Sequence, residues 1–134
     1  MPKRRKDRLL GATRPLGTEE ITMFVPELDI EGRAIGQAGW VRAFLDLFGR
    51  LFGGATAFPR GQGVWRDDRH GGRLVFEKTV MVMSFSSRGD FDRGAPLLRA
   101  FLHHFGRHAR QGEVGIVISG VYRGISSFDE EKGA

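Results

Sequence analysis

The sequence predicts an α+β fold, a ferredoxin-like β-α-β-β-α-β sandwich in which one antiparallel sheet carries two helices on one face. Three observations lead there. Apolar side chains recur every three or four positions over residues 37–52 and again over 96–109, which is helical spacing. Residues 21–25, 74–85 and 114–121 concentrate alternating or β-branched apolar residues, which is strand patterning. The turn formers Asp67-Asp68-Arg69-His70-Gly71-Gly72 separate two strand-like runs, so those runs make a hairpin.

In chain order, residues 1–17 are basic, contain Pro2 and Pro15 and show no apolar period, so a mobile basic N-terminal arm is expected. The folded domain then spans 18–128. Ile21, Met23 and Val25 alternate with Thr22 and Phe24 in a first strand that Pro26 ends. Glu27 to Gln37 is polar with two glycines, hence a loop. Trp40, Val41, Phe44, Leu45, Phe48, Leu51 and Phe52 draw one wide apolar face of a first helix, which Gly53-Gly54 stops. Pro59, Gly61 and Gly63 make an irregular entry to the strand at Val64-Trp65, and Leu74 to Phe85 is the long third strand. Ser86 to Asp92 reads as a polar connection, with Pro96 in the first turn of a second helix whose face holds Leu98, Phe101, Leu102, Phe105 and Ala109. Val114, Ile116, Ile118 and Val121 supply a last strand, and the acidic end, residues 129–134, is expected to fray.

Charge is distributed unevenly. The net +5 of the 134-residue chain resides in residues 1–17, where six Lys and Arg face only Asp7, and the rest is balanced. The absence of Cys excludes disulfides and thiolate metal sites. No apolar run approaches the ~20 residues of a membrane helix, and Leu9-Leu10-Gly11-Ala12 is too short for a secretory signal, so a cytoplasmic protein without membrane contact is expected. Lys3, Arg4, Arg5, Lys6 and Arg8 can neutralise phosphates of a nucleic acid or dock on an acidic protein. The third strand is apolar on both faces, Met81 and Met83 one way and Val80 and Val82 the other. Self-association or a protein partner on the second sheet face is therefore expected.

The leading functional reading is a non-enzymatic interaction module that oligomerises or joins a larger complex. The alternative is a small enzyme of hydrolase or nuclease type built on Glu77. A hairpin closed symmetrically about the 67–72 turn puts Glu77 near Gln62 and Trp65 near Leu74. A carboxylate buried there has a raised pKa and can act as general acid or base, with Gln62 and Arg66 orienting a substrate between the hairpin and the second helix. The competing structural role is a Glu77 that accepts backbone amides of the glycine-rich strand or pairs with Arg66 or Arg73. Trp65 reads first as a packing aromatic; beside Phe58, Arg60 and Arg66 it also leaves a single-stranded nucleic-acid surface open. His104 and His108 have the spacing of a two-histidine metal site, but Phe105, Gly106 and Arg107 between them offer no third ligand. His103 beside them completes the cluster without changing that. No metal site and no cofactor are assigned. Gly61-Gln62-Gly63 and Gly53-Gly54 lack the context of a phosphate loop and read as turn and bulge glycines.

The runs Phe52-Gly53-Gly54-Ala55-Thr56, Gly61-Gln62-Gly63-Val64-Trp65-Arg66 and Gly72-Arg73-Leu74-Val75-Phe76-Glu77 resemble a family of small bacterial domains of unknown function. That pattern is a helix ending in a Gly-Thr turn, a Gly-Gln-Gly-x-Trp strand and a Glu on the next strand, with Gln111, Glu113 and Val114 resembling the entry to its last strand. The resemblance spans residues 20–120, implies the ferredoxin-like fold, and lends no activity.

Overall fold

The computed structural model describes residues 2–12 and 17–131. A first helix, α1 (Pro2–Leu10), precedes β1 (Glu19–Pro26), α2 (Gln37–Phe52), β2 (Thr56–Ala57), β3 (Gly61–Asp67), β4 (Arg73–Ser86), α3 (Arg88–His108), β5 (Val114–Ile118) and β6 (Val121–Ile125). All pairings in the six-stranded sheet are antiparallel, in the order β2-β4-β1-β5-β6, with β3 beside β4 on the edge that β2 occupies. Removing α1, β2 and β6 leaves the β-α-β-β-α-β order and the ferredoxin-like strand arrangement, so the α+β class holds. None of the described helices is long and apolar enough to cross a membrane.

The period-2 pattern of the strands decides which face is buried. Ile21, Met23 and Val25 stand opposite Ser84, Val82 and Val80, and Ile116 and Ile118 continue the layer on β5. Against it pack Phe44 and Phe48 of α2 and Leu98, Leu102 and Phe105 of α3, all buried. Phe44 meets Phe101 edge-on at 4.9 Å and Phe105 at 5.3 Å, the favoured geometry for aromatic pairs. Both helices therefore lie on one side of the sheet.

Several elements differ from the sequence expectation. α3, the second helix of the sequence expectation, begins at Arg88, eight residues before Pro96, because the Ser87 hydroxyl accepts the Asp90 amide at 3.1 Å and caps it. Pro96 is tolerated inside because the carbonyl it leaves unpaired belongs to Asp92, which is exposed. The extra turns bring Phe91 onto Phe52, stacked at 6.3 Å. The last strand is two strands: Ser119 and Gly120 both take positive φ, 49° and 85°, the two-residue hairpin geometry that returns β6 against β5. Within residues 1–17, Pro2–Leu10 is helical: Pro sits at the first helical position, Lys, Arg and Leu are good helix formers, and Gly11 (φ 69°) closes it with the Ala12 amide on the Asp7 carbonyl at 2.9 Å. Residues 13–16 and the side chains of Lys3 and Arg4 lie outside the described set. The acidic end is tied to α3 through Asp129 and Glu131, and 132–134 lie outside the described residues.

β4 is longer than its neighbour. Its pairing with β1 ends at Thr79 opposite Pro26, so Arg73–Lys78 pair with β3 alone and the hairpin projects beyond the sheet. The accessible surface is 9175 Å², against about 7,000 Å² expected for a compact chain of this mass.

Candidate functional site

Among the described residues, no helix packs on the sheet face opposite α2 and α3. Phe24 and Val117 are half-buried on this open face, whereas Met81 is 37%, Phe85 56% and Trp65 44% exposed. Met81 and Met83 point here while Val80 and Val82 point to the core, as the alternation predicts. Its far end belongs to the hairpin, which is apolar on both sides: Val64, Leu74 and Phe76 on one, Trp65 and Val75 on the other. A two-stranded ribbon by itself is marginally stable at best in water, and this one exposes large apolar groups on both faces.

Glu77 sits where the hairpin leaves the sheet, but its neighbours differ from expectation. The pairing expected from a symmetric turn, 77 with 62 and 65 with 74, is the register that β2 follows, with Thr56 opposite Met83. Beyond it Pro59 and Arg60 together oppose Val80, a bulge of one extra residue, and β3 runs one position on. Gly63 thus faces Glu77, Gln62 faces Lys78, Trp65 faces Val75 and Arg66 faces Leu74. A one-residue shift exchanges faces, so Glu77 shares the open face with Gly63 and Trp65 while Gln62 and Arg66 project from the other. The three candidate catalytic residues do not converge.

Glycine at 63 is required by space: a Cβ there would lie 2.8 Å from Thr79 Oγ1 and 3.3 Å from the Glu77 carbonyl. The side chains expected to pair with Glu77 are engaged elsewhere, Arg66 with Asp68 at 2.6 Å and Arg73 with Asp67 at 3.6 Å. Burial, and secondly the Glu27 carboxylate, push the Glu77 carboxyl above its ordinary value. Glu27 is present for a backbone reason: where β1 ends, its Oε2 accepts the Lys78 amide at 3.1 Å and Gln37 Nε2 donates to the Lys78 carbonyl at 3.1 Å, supplying the partners β1 no longer provides. Gln37 Nε2 also donates to the Val25 carbonyl at 3.0 Å.

A second polar pair, missed from sequence, occupies the opposite end of the open face. Tyr122 lies over Gly115, whose missing side chain makes room for the ring, and its hydroxyl donates to Glu113 Oε2 at 3.1 Å. Burial, then the Glu113 hydrogen bond and charge, raise the Tyr122 pKa. The signal was Gly115 and Gly124 flanking an aromatic, readable only once the 119–120 turn is recognised. The open face is thus an apolar field with a half-buried carboxylate toward the hairpin edge and a Tyr-Glu pair toward β6.

Trp65 is exposed and joins no core, and Phe58, Arg60 and Arg66 are exposed with it. On α1, Arg5, Lys6 and Arg8 are exposed. His103 is buried, and its Nδ1 accepts the Asp129 amide at 2.7 Å. His104 and His108 gain the third ligand group that their local sequence lacks, Glu131, from the end of the chain. A groove of about 310 Å³ opens between α3 and β5–β6, lined by Phe91, Leu98, Leu102 and Ile116 with Arg99 and Arg123; it lies away from the hairpin, and Glu77 is not among its walls.

No family model matches the chain, and no curated protein matches it. Solved structures do resemble it. A phage SAM lyase in complex with S-methyl-5'-thioadenosine superposes with a TM-score of 0.62 at 19% identity, covering 86% of this chain and 95% of that one. A phage SAM lyase in its apo state gives 0.55 at 20% identity over 86% and 94%. The divalent cation tolerance protein Cut A1 from Thermus thermophilus gives 0.45 at 16% identity over 75% and 82%. At these identities the likeness concerns the fold.

Proposed function

We propose that the protein is an assembly module whose copies join edge to edge, β6 of one against the β2–β3 edge of the next, in a closed ring that turns the open sheet faces and the projecting hairpins toward one another. The observation that carries this reading is the projecting β3–β4 hairpin, which exposes Val64, Leu74 and Phe76 on one side and Trp65 on the other. A ring of identical contacts supplies what both sheet edges lack, because β6 at one end and β2–β3 at the other have unpaired outer edges and a heterologous contact brings one against the other. Hydrogen exchange at several protein concentrations tests it. Amides on the outer edge of β3 and of β6 gain protection as concentration rises; rapid exchange at both edges at every concentration overturns the reading.

A second reading has its own support. Glu77 and the Glu113–Tyr122 pair lie at opposite ends of the open face, so a ring brings them toward each other across the subunit boundary and sets carboxylates against aromatic and thioether side chains. That combination suits a ligand with a flat base and a cationic centre, and the fold shared with a lyase bound to a methylthioadenosine supports an adenosyl sulfonium as the class tried first. Of the residues expected to serve a hydrolase or nuclease, Glu77 alone then contributes, and to lyase chemistry instead. Incubation with S-adenosylmethionine, followed by chromatography for its thioether product, tests this; absence of both binding and product removes it. The basic arm is the third element of the proposal. Exposed Arg5, Lys6 and Arg8 on α1 support contact with a nucleic acid or an acidic partner. A chain starting at Thr18 that binds nucleic acid as well as the full chain across salt concentrations would exclude the nucleic-acid role.

A further inference from the structure

We propose that His104, His108 and Glu131 bind a divalent ion of the Zn²⁺ class and that the ion clasps the end of the chain onto α3. The two imidazoles are four residues apart on one helix face, with ring centroids 4.2 Å apart. His104 Nδ1 lies 2.6 Å and His108 Nε2 2.9 Å from the same carboxylate oxygen, Glu131 Oε1. The ligand atoms of all three residues fall within 4.8 Å of one another. Tetrahedral zinc with ligand bonds of 2.0–2.2 Å sets its ligand atoms about 3.4 Å apart. The two carboxylate-to-nitrogen distances fall short of that by about 0.8 and 0.5 Å, so a shift of under an ångström at the Glu131 side chain brings both to the tetrahedral spacing.

Independent contacts hold His104 and the segment that carries Glu131 in place. His104 is backed by Trp40 at 5.8 Å and Phe101 at 5.9 Å, which limit its ring orientation. Two residues before Glu131, the Asp129 carboxylate accepts two bonds from Arg99, at 2.8 and 3.1 Å, and its amide donates to His103 Nδ1 at 2.7 Å. Arg107, the cation adjacent in sequence to His108, donates to the Asp129 carbonyl at 2.8 Å and so has an acceptor of its own. Two nitrogen ligands and one carboxylate favour Zn²⁺, Cu²⁺ or Ni²⁺ over Mg²⁺ and Ca²⁺, which take oxygen sets. The group is partly exposed, leaving a fourth position for water. The site lies on the helix layer and is independent of the sheet-face assembly.

The test is calorimetric titration of the full chain with Zn²⁺, alongside His108→Ala, Glu131→Gln and, as a control, His70→Ala. One ion per chain is expected. Changing partners that merely support metal ligands costs about 10–100-fold in affinity, so losing a ligand should weaken binding at least roughly tenfold, while His70→Ala binds as the parent does. Because both positions are exposed and Asp129 keeps its bonds to Arg99 and His103, melting of the metal-free variants should stay close to that of the parent, separating lost binding from lost fold. Cu²⁺ should quench Trp40 fluorescence in a Trp65→Phe chain and fail to do so once His104 is also replaced by Ala. No saturable Zn²⁺ binding, or equal binding by parent, His108→Ala and Glu131→Gln, overturns the proposal.

Discussion

Replacing Gly106 by Ala in α3 sets two effects of opposite sign against each other, and the Phe128 ring decides the outcome. Gly inside a helix costs about 1 kcal/mol relative to Ala, so propensity alone predicts that Gly106→Ala stabilises. Phe128, however, lies directly over Gly106: a Cβ there would come within 2.6 Å of Phe128 Cδ1 and closer to the two ring carbons beyond it. The ring must leave. With it go its edge-on contact with His103 at 6.1 Å, worth about 1 kcal/mol, the Asp129 amide bond to His103, worth about 1 kcal/mol, and the ring's packing against the core, about 1 kcal/mol for a half-buried side chain. The net expectation is a loss of about 2 kcal/mol, which for 134 residues is a fall in Tm of about 7 °C. Scanning calorimetry reads it. In a Phe128→Ala background the obstacle is gone, and the same glycine substitution should then stabilise by about 1 kcal/mol. Equal destabilisation in both backgrounds would refute the reasoning.

Other expectations concern the carboxylate and the backbone. Glu77 has a folded-state pKa above its ordinary 4.5, so the folded chain holds that proton longer than the unfolded one. Its contribution is most favourable below pH 4.5 and is lost as pH rises from there through the raised value. Glu77→Gln should thus stabilise at pH 7, leave stability near pH 4 almost unchanged and flatten the slope between; urea melts across that range measure it, and destabilisation at pH 7 would show a Glu77 that gains from its charge. Ser87→Ala should cost about 1 kcal/mol by removing the cap from the Asp90 amide, lowering Tm by about 4 °C. Gly63→Ala should destabilise by forcing Thr79 aside, and Thr79→Ala should recover part of the loss in the same melts.

Where the chain's own pattern is decisive, the fold is legible in advance. Ile21-x-Met23-x-Val25 and the Trp40–Phe52 face specify which side is buried whatever they pack against, and Met81 and Met83 against Val80 and Val82 disclose a second apolar face. What was not legible depends on single local geometries or on contacts distant in sequence. Pro59 inserts one residue and thereby exchanges the faces of Gln62 and Glu77. Pro96 resembles a helix start, yet the Ser87 cap and Phe91 extend the helix past it. Ser119-Gly120 divides an apparently continuous strand. The third partner of His104 and His108 is 23 residues beyond His108, and no spacing rule connects Glu131 to a helix it meets only after β5 and β6 have turned back. The open-face site was visible as an isolated Glu77, but Tyr122 and Glu113 required the sheet order to join it.

The central claim, that the open face and its hairpin are covered by copies of the same chain, is tested most directly by multi-angle light scattering on the full-length protein and on Met81→Lys/Phe85→Lys. Both side chains lie on the open face, and both are exposed in the single chain. The account predicts a particle whose mass is two or more times 14.9 kDa at micromolar concentration, and a folded species of 14.9 kDa for the double variant. A parent protein that elutes at 14.9 kDa across that range would contradict it.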